Sequence, residues 1–246
     1  MGEGKSSNSA GASLAVIVPT LEEARRLPGL LRALAPGHGS DAPDEIVVSD
    51  GGSRDETAEV ATGLGARVVT GSAGRGVQLA RGADAVEADL LLFLHADARL
   101  RSGSIAAVRS AFLDPELVAV GMRQRIDHEG GLYRWIERAA DARVRFGWIY
   151  GDSGLAVRRD AYRAVGGFRP LPIFEDLDLS RRLRRRGRLR LVREAEISVS
   201  PRRWERDGAL WCTFRNWCLT VAWAAGVSPS RLVRFYPPHQ GARDAP

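Results

Sequence analysis

At 246 residues the chain is long enough for one large α/β domain or at most two small ones, and 44% hydrophobic with 27% charged residues is ordinary for a globular protein. Its formal net charge of +6 rests almost wholly on arginine, because Lys5 is the only lysine, and the excess favours anionic partners without choosing among nucleic acid, acidic membrane and phosphorylated small molecules. Cys212 and Cys218 form no paired CxxC, so they read as buried thiols of a reduced cytoplasmic protein, and no apolar run reaches the ~18 residues of a membrane span.

The first dozen residues, MGEGKSSNSAGA, are Gly/Ser-rich and lack the apolar core of a signal peptide, so 1–12 is expected to be a disordered tail. Leu14 to Val18 is a strand-like apolar run ended by Pro19-Thr20, and Leu27, Leu30, Leu31 and Leu34 follow at helical spacing. Thr20 with Glu23 reads as a capping box for that helix. A second strand, Glu45 to Ser49, leads through Asp50-Gly51-Gly52-Ser53 to a helix from about Glu56 to Leu64, closed by Gly65. Ala66 to Thr70 is a third strand, short and expected near an edge. A loop with Gly71, Gly74, Arg75 and Gly76 then opens a helix from Val77 to Glu87.

The stretch DLLLFLHAD, Asp89 to Asp97, organises this pattern. Its apolar run, Leu90 to Leu94, is what a strand buried on both faces of a parallel sheet needs. Its acidic stop falls at the carboxyl end, where open α/β sheets bind ligands. Strands alternating with helices argue for right-handed crossovers, which collect Thr20 with Glu23, Asp50, the Arg75 loop, and His95 with Asp97 on one edge. Any one such turn is explained by ordinary turn chemistry; several converging on one crevice point to a ligand. Neither GxGxxG after the first strand nor GxxxxGK[ST] is present. The Arg75 loop instead offers a cation and backbone N–H groups near a helix start, which suits a diphosphate.

Beyond Asp97 the spacing predicts a helix over Ser102 to Leu113, a strand over Leu117 to Met122 and an amphipathic helix over Tyr133 to Phe146. Gly151-Asp152-Ser153-Gly154 precedes a short strand, Leu155 to Val157. A serine-protease reading of that tetrapeptide conflicts with the α/β pattern and the scattered histidines, and no GxSxG elbow occurs. A helix from Arg158 to Val165 follows. Then Glu175, Asp176 and Asp178 lead a helix ending in Arg181, Arg182, Arg184, Arg185 and Arg186. The helix dipole favours this charge order, yet three carboxylates within four residues exceed what capping requires. A last strand ends at Ser198 to Pro201. The segment GALWCTFRNWCLTVAWAAG reads as an amphipathic helix that either packs on the domain, the expected case, or lies in a membrane interface.

In order along the chain, VIVPTLEEA, VVSDGGSRDET, GRGVQLARGA, LLFLHADARL, GDSGLAVRRD, GGFRP, FEDLDLSRRLRRRG and PRRWERDG resemble the inverting family-2 glycosyltransferases of GT-A fold, over about Leu14 to Val233. The subgroup most resembled is the bacterial rSAM/selenodomain-associated transferases. The resemblance implies an α/β GT-A domain over 13–200, its central sheet mostly parallel and flanked by helices, with a helical extension over 201–246 packed on it. It implies that Thr20, Glu23, Asp50 and Ala96 hold the nucleotide part of a nucleotide-sugar, and that Arg75 and Gln78 face its diphosphate or sugar. Asp97 would hold a divalent metal, with His95 as a second contact. Asp176 would be the catalytic base, with Asp178 and Asp152 as alternatives. Asp152 and Ser153 would help form the acceptor pocket, and Glu175, Arg203 and Trp204 would lie by the acceptor or diphosphate. Four positions depart from the family pattern: Glu22 for Asn, Ala80 for Asn, Ser153 for Gln, and His95 at the first place of the metal motif.

The chemistry implied is transfer of a sugar, from UDP by expectation, to a hydroxyl acceptor. Mn2+ or Mg2+ would stabilise the departing diphosphate, and a histidine contact would favour Mn2+. One base and one displacement give inversion. An acidic PTLEEA disfavours a nucleotidyltransferase, which needs a basic loop there. Glu175, Asp176, Asp178, Glu194 and Glu196 around the arginine helix disfavour nucleic-acid binding. The expected location is the cytoplasm, at the inner face of the membrane with a lipid-linked acceptor if the arginine helix and Trp-rich tail meet anionic lipid.

Overall fold

The computed structural model describes residues 11–35 and 41–236. Residues 1–10 of the expected tail lie outside that range, and Gly11 and Ala12 have no regular structure. Eight strands form one sheet: β1 (Leu14–Thr20), β2 (Glu45–Asp50), β3 (Arg67–Thr70), β4 (Leu90–Phe93), β5 (Arg99–Leu100), β6 (Leu117–Ile126), β7 (Leu155–Arg158) and β8 (Arg188–Val199), in the spatial order β3-β2-β1-β4-β7-β6-β8-β5. The first four are parallel, with Ile17 opposite Val47 and Phe93, and β3 is the edge strand.

Side chains of a strand alternate between faces, and both faces here are covered. Val16, Val18, Leu90 and Leu92 join one apolar cluster with Leu27, Leu30, Leu31 and Leu34 of α1 (Leu27–Leu34) and Ala61 of α2 (Thr57–Gly63). Ala15, Ile17, Leu91 and Phe93 join the other with Leu79 and Ala83 of α3 (Arg75–Asp84). Burial on both sides is why β1 and β4 are continuously apolar. On the first face α4 (Ser104–Ala111) adds Ile105 and Val108. The second face gains Val144 of α5 (Gly131–Arg145), Tyr162 of α6 (Arg159–Ala164), and Leu179 and Leu183 of α7 (Glu175–Leu183).

Past β4 the sheet departs from simple alternation. β7 is inserted between β4 and β6 and runs antiparallel to both, with Phe93 opposite Leu155 and Gly121 opposite Leu155 on its other side. The amino end of β7 therefore lies beside the carboxyl end of β4. That reversal brings Gly151–Ser153, a single 3-10 turn, to the edge where β1, β2 and β4 stop.

Three local expectations are corrected. The Thr20–Glu23 capping box does not form: α1 begins at Leu27 with Arg26 as N-cap and no side-chain cap, while Thr20 ends β1 and gives its hydroxyl to Asp50 across the sheet (3.0 Å). Cys212 is buried but Cys218 is exposed, so the two thiols do not share one environment. The tail helices, α8 (Arg202–Asp207), α9 (Ala209–Ala224) and α10 (Pro229–Leu232), bury only part of their apolar surface: Leu219, Trp223 and Leu232 pack with Ile173, Phe174 and Leu177, while Leu210, Trp211, Phe214 and Trp217 stay exposed.

Candidate active site

At the sheet edge, the carboxyl end of β2 is a saturated hydrogen-bond node. Asp50 Oδ1 accepts from the hydroxyls of Thr20 (3.0 Å) and Ser53 (2.5 Å), and Oδ2 from the amides of Gly52 (2.9 Å) and Ser53 (2.8 Å). Burial pushes this carboxyl up, but the hydrogen bonds from Ser53, Gly52 and Thr20 outweigh it and hold Asp50 below the usual carboxylate value. Ser53 and Arg81 are members of this node that sequence reasoning missed. Ser53 also accepts from the amide of Glu22 (2.9 Å), and Arg81 reaches Ser49 Oγ (3.2 Å) and the carbonyls of Asp50 (2.7 Å) and Ser72 (3.3 Å). The signal was available, since Ser53 stands three residues after Asp50, the spacing at which side chains of a polar turn bond locally.

Gln78 is expected to face the diphosphate or sugar, and in the structure its amide makes hydrogen bonds within the protein. Its nitrogen donates to the carbonyls of Thr20 (2.6 Å) and Ser49 (3.0 Å), and its oxygen accepts from the Gly74 amide (3.1 Å), so it braces the Gly/Arg loop against β1 and β2. Glu22 stands at φ 56°, a left-handed conformation that Asn tolerates better than Glu, and its carboxylate receives the Arg54 amide (2.8 Å). Glu23 pairs with Arg26 (3.2 Å); burial, with the charges of Asp97 and Asp55, raises its carboxyl despite Arg26. Ala96 is buried, and Asp97 points from the end of the β4 segment into solvent.

The second group of residues meets across the amino ends of two helices. Arg75 at the start of α3 is ion-paired with Glu175 at the start of α7, and Glu175 is buried, its second oxygen Oε2 without a hydrogen-bond partner. Residue 76 is glycine where the loop before α7 crosses the start of α3: a Cβ there would lie 2.3 Å from the Arg169 carbonyl oxygen. Next to Glu175, Asp176 is 7% exposed. Its Oδ2 accepts from the Gly151 amide (2.6 Å) and its Oδ1 from the Leu177 amide (2.7 Å). Burial, reinforced by the Glu175 charge and opposed by Arg75, pushes Asp176 up to about 6.

His95 closes the group. A Cβ placed on Gly151 would lie 2.9 Å from His95 Nε2 and 3.3 Å from Asp176 Oδ2, so both side chains crowd one bare backbone position from either side. Burial and Arg75 hold the imidazole below its ordinary value against the pull of Asp97, Asp152 and Glu175, which keeps it neutral. Asp152 takes a hydrogen bond from Gln124 of β6 (3.3 Å), a residue sequence reasoning missed, and a long one from the buried Ser153 (3.4 Å). Phe174, directly before Glu175, is held at φ 64° with its ring buried 5.8 Å from that of Trp223 of α9. Such strain persists only where surroundings fix it.

Other expected residues lie elsewhere. Asp178 is tied to Arg182 (2.8 Å) and Arg169 (3.4 Å). Trp204 packs edge-on against Tyr133 at 6.5 Å beside Ile126 and Ile136, and among the described residues no contact joins it to Asp50, Asp97 or Asp176. The side chain of Arg203 lies outside the described residues. Two groups of polar residues thus face one edge, one saturated and one under strain.

The family model for glycosyl transferase family 2 matches residues 15–173, more than half of the chain. The chain belongs to glycosyl transferase family 2. No curated protein matches this family member in sequence. Among solved structures it is similar to a mannosyltransferase of Pyrobaculum calidifontis in complex with GDP-Man and Mn2+ (TM-score 0.64, 19% identity, 78% of this chain and 57% of that one). It is also similar to glucosyl-3-phosphoglycerate synthase of Mycobacterium tuberculosis with Mn2+, UDP and phosphoglyceric acid (0.59, 22%, 77% and 70%). A third is TarS of S. aureus (0.62, 14%, 91% and 69%). These likenesses give this glycosyl transferase family 2 chain the GT-A fold, and it spans little more than half the length of the first of them.

Proposed function

We propose that the chain transfers a hexosyl group from a nucleoside-diphosphate sugar, UDP being the expected nucleotide, to a hydroxyl acceptor with inversion, and that it belongs to the rSAM/selenodomain-associated subgroup. The observation that carries this reading is Asp176: a buried carboxyl pushed up to about 6, held by two backbone amides across one glycine from a neutral histidine. A general base works best with a value near the operating pH. A hydroxyl entering beside Asp152 and Gln124 would hand its proton to Asp176 as it attacks, and displacement from one face inverts the anomeric carbon. Asp178 has its carboxylate tied to Arg182 and Arg169 and is the less available alternative.

Donor-side support comes from Asp50 and the loop it orders. Arg75, paired with Glu175, is the cation at the amino end of α3 that would lie near a diphosphate. Burial draws Arg75 down, but Glu175 and Asp176 raise it further, so it stays charged. The residues also suit a divalent cation. Asp97 is exposed and already raises Glu23, so positive charge there would relieve an acidic cluster. Among the described residues no cluster of three or more His, Cys, Asp or Glu could hold a metal alone; a Mg2+- or Mn2+-type ion that keeps phosphate oxygens and water in its shell needs few protein ligands. Asp97 would hold it, with neutral His95 as the further candidate. When bound, it would offset the charge growing on the leaving diphosphate.

Residues 13–200 are taken as the transferase body and 201–246 as an extension on it, acting in the cytoplasm. Among the described residues no helix is long and apolar enough to cross a membrane. The test is a thermal-shift screen of UDP-, GDP- and dTDP-sugars with and without Mn2+. A ligand at a hundredfold over its Kd adds about 2.7 kcal/mol to stability, so one nucleotide should raise Tm in the presence of metal, and Asp97→Ala should remove the metal-dependent part. If no nucleotide shifts Tm with either Mn2+ or Mg2+, the reading fails.

A further inference from the structure

Helix α9 is apolar on its outer face as well as its inner one. Its polar side chains face the protein: Arg215 reaches Asp207 (3.4 Å), and buried Thr220 shares a hydrogen bond with the Tyr150 hydroxyl (2.6 Å) and donates to the Asn216 carbonyl (2.8 Å). Leu219 and Trp223 also pack inward, but its other large apolar side chains face out. Leu210, Trp211, Phe214, Trp217 and Val221 are between 44% and 70% exposed, and Leu210, Phe214, Trp217 and Val221 recur at i, i+4, i+7 and i+11, one stripe along the helix. Leu132 and Trp135 are exposed on α5, whose Tyr133 and Ile136 cluster with Ala209 at the head of α9. At 150–250 Å² for each large aromatic, this patch is on the order of several hundred Å², the size that marks an interaction site.

Charge decides what covers it. From Ala209 to Tyr236 the chain has neither Asp nor Glu, and apart from Arg215, which turns inward to Asp207, its cations are Arg231 and Arg234. At the far end of α9, Arg181 and Arg184 line a cavity of about 220 Å³ with Phe146, Trp148 and Trp223. A second copy seated on the stripe would bring two such arginine sets together with no acid on the segment to pair them. An anionic bilayer supplies apolar depth and negative charge at once, and Trp side chains settle at that boundary.

We propose that the outer face of α9, with Leu132 and Trp135, docks on an anionic membrane surface. The inner face of the same helix seats Trp223 against Phe174 and Thr220 against Tyr150, the residues that flank Glu175-Asp176 and Gly151. Lipid would thus lie about one helix diameter, 10–12 Å, from the loops that hold the base. That the acceptor hydroxyl arrives from this surface rests on the glycosyltransferase reading.

The test is flotation of the full chain with phosphatidylcholine vesicles, with and without phosphatidylglycerol, at low and high salt. Molar mass in solution and the Tm shift given by UDP with Mn2+ are measured alongside. Flotation should rise at least tenfold with the anionic lipid and fall with salt. F214E/W217E, whose altered side chains point to solvent, should lose at least tenfold while keeping the wild-type Tm and nucleotide shift, and R231A/R234A should lose severalfold. Failure of the folded protein to float on anionic vesicles overturns the proposal, as does flotation unchanged in F214E/W217E. A dimer at micromolar concentration that this double variant dissociates overturns it in favour of a second copy. For the wild-type chain, no flotation with the nucleotide shift present counts against docking alone, whereas flotation without any nucleotide shift counts against the glycosyltransferase reading alone.

Discussion

Asp50 and Asp176 are both buried aspartates on the same edge of the sheet, and their surroundings push them in opposite directions. Asp50 meets four donors from β1 and its own turn and is held low; Asp176 meets two amides, a neighbouring carboxylate and an apolar shell, and is held near 6. The difference lies in how burial is compensated. A carboxylate whose lone pairs are filled stays ionised in the interior, and one left short of donors keeps its proton to higher pH. Two such groups in one crevice divide the work: the satisfied one shapes a binding surface, and the unsatisfied one can exchange a proton.

The largest effect should come from removing the proton acceptor. Asp176→Asn should lower the transfer rate by about 10²–10⁴-fold while the Tm shift given by UDP and Mn2+ stays within twofold of wild type in ligand concentration. Near wild-type turnover with a true acceptor would move the base to another residue. Asp50→Asn should act the other way round: donor affinity should weaken, and stability should fall by about 1–3 kcal/mol, because one acceptor oxygen replaces two and buried donors lose their partner. Denaturant midpoints and the nucleotide shift measure both halves.

pH sharpens the same contrast. Protonated Asp176 cannot accept a proton, so the rate should fall as pH drops through about 6. On stability the signs oppose. The depressed Asp50 contributes stability that is present above an unfolded value of about 3.9 and is lost as pH falls through its lower native value. The raised Asp176 contributes stability that is full below about 3.9 and is lost as pH rises through about 6. Unfolding of the two Asn variants across pH 3–8 should therefore differ from wild type with opposite slopes.

Two smaller perturbations address the scaffold on either side. Gly76→Ala puts a Cβ against the Arg169 carbonyl at 2.3 Å and should cost about 1–3 kcal/mol by pushing the start of α3 away from the loop before α7; a drop in Tm with weaker nucleotide binding is the expected outcome. Glu22→Asn trades a better fit to φ 56° against the lost bond to the Arg54 amide, and Tm should shift by no more than the equivalent of about 1 kcal/mol.

Much of the sheet edge at β1, β2 and β4 is legible in the sequence, because these strands carry their burial as apolar runs and end in polar turns. The capping box was misread for a tertiary reason: Thr20 has its partner in Asp50, thirty residues on, and no local rule reports such a competitor. Nor does the sequence show that Gln78 braces its loop, since its carbonyl acceptors come from β1 and β2. Trp204 was read from its place in a motif, whereas its ring is claimed by Tyr133 of α5.

By itself the sequence determined the periodicities that make each element, the family-2 motifs, and the identity of the acidic residues at one sheet edge. Only the tertiary structure decided that β7 reverses between β4 and β6, which carries Gly151 to His95 and Asp176. It also decided that α9 turns its polar side chains inward. The reason is the same in each case. Local patterns record what a segment prefers, but a carboxyl's ionisation and a helix's inner face depend on which donors and apolar surfaces distant segments bring to it.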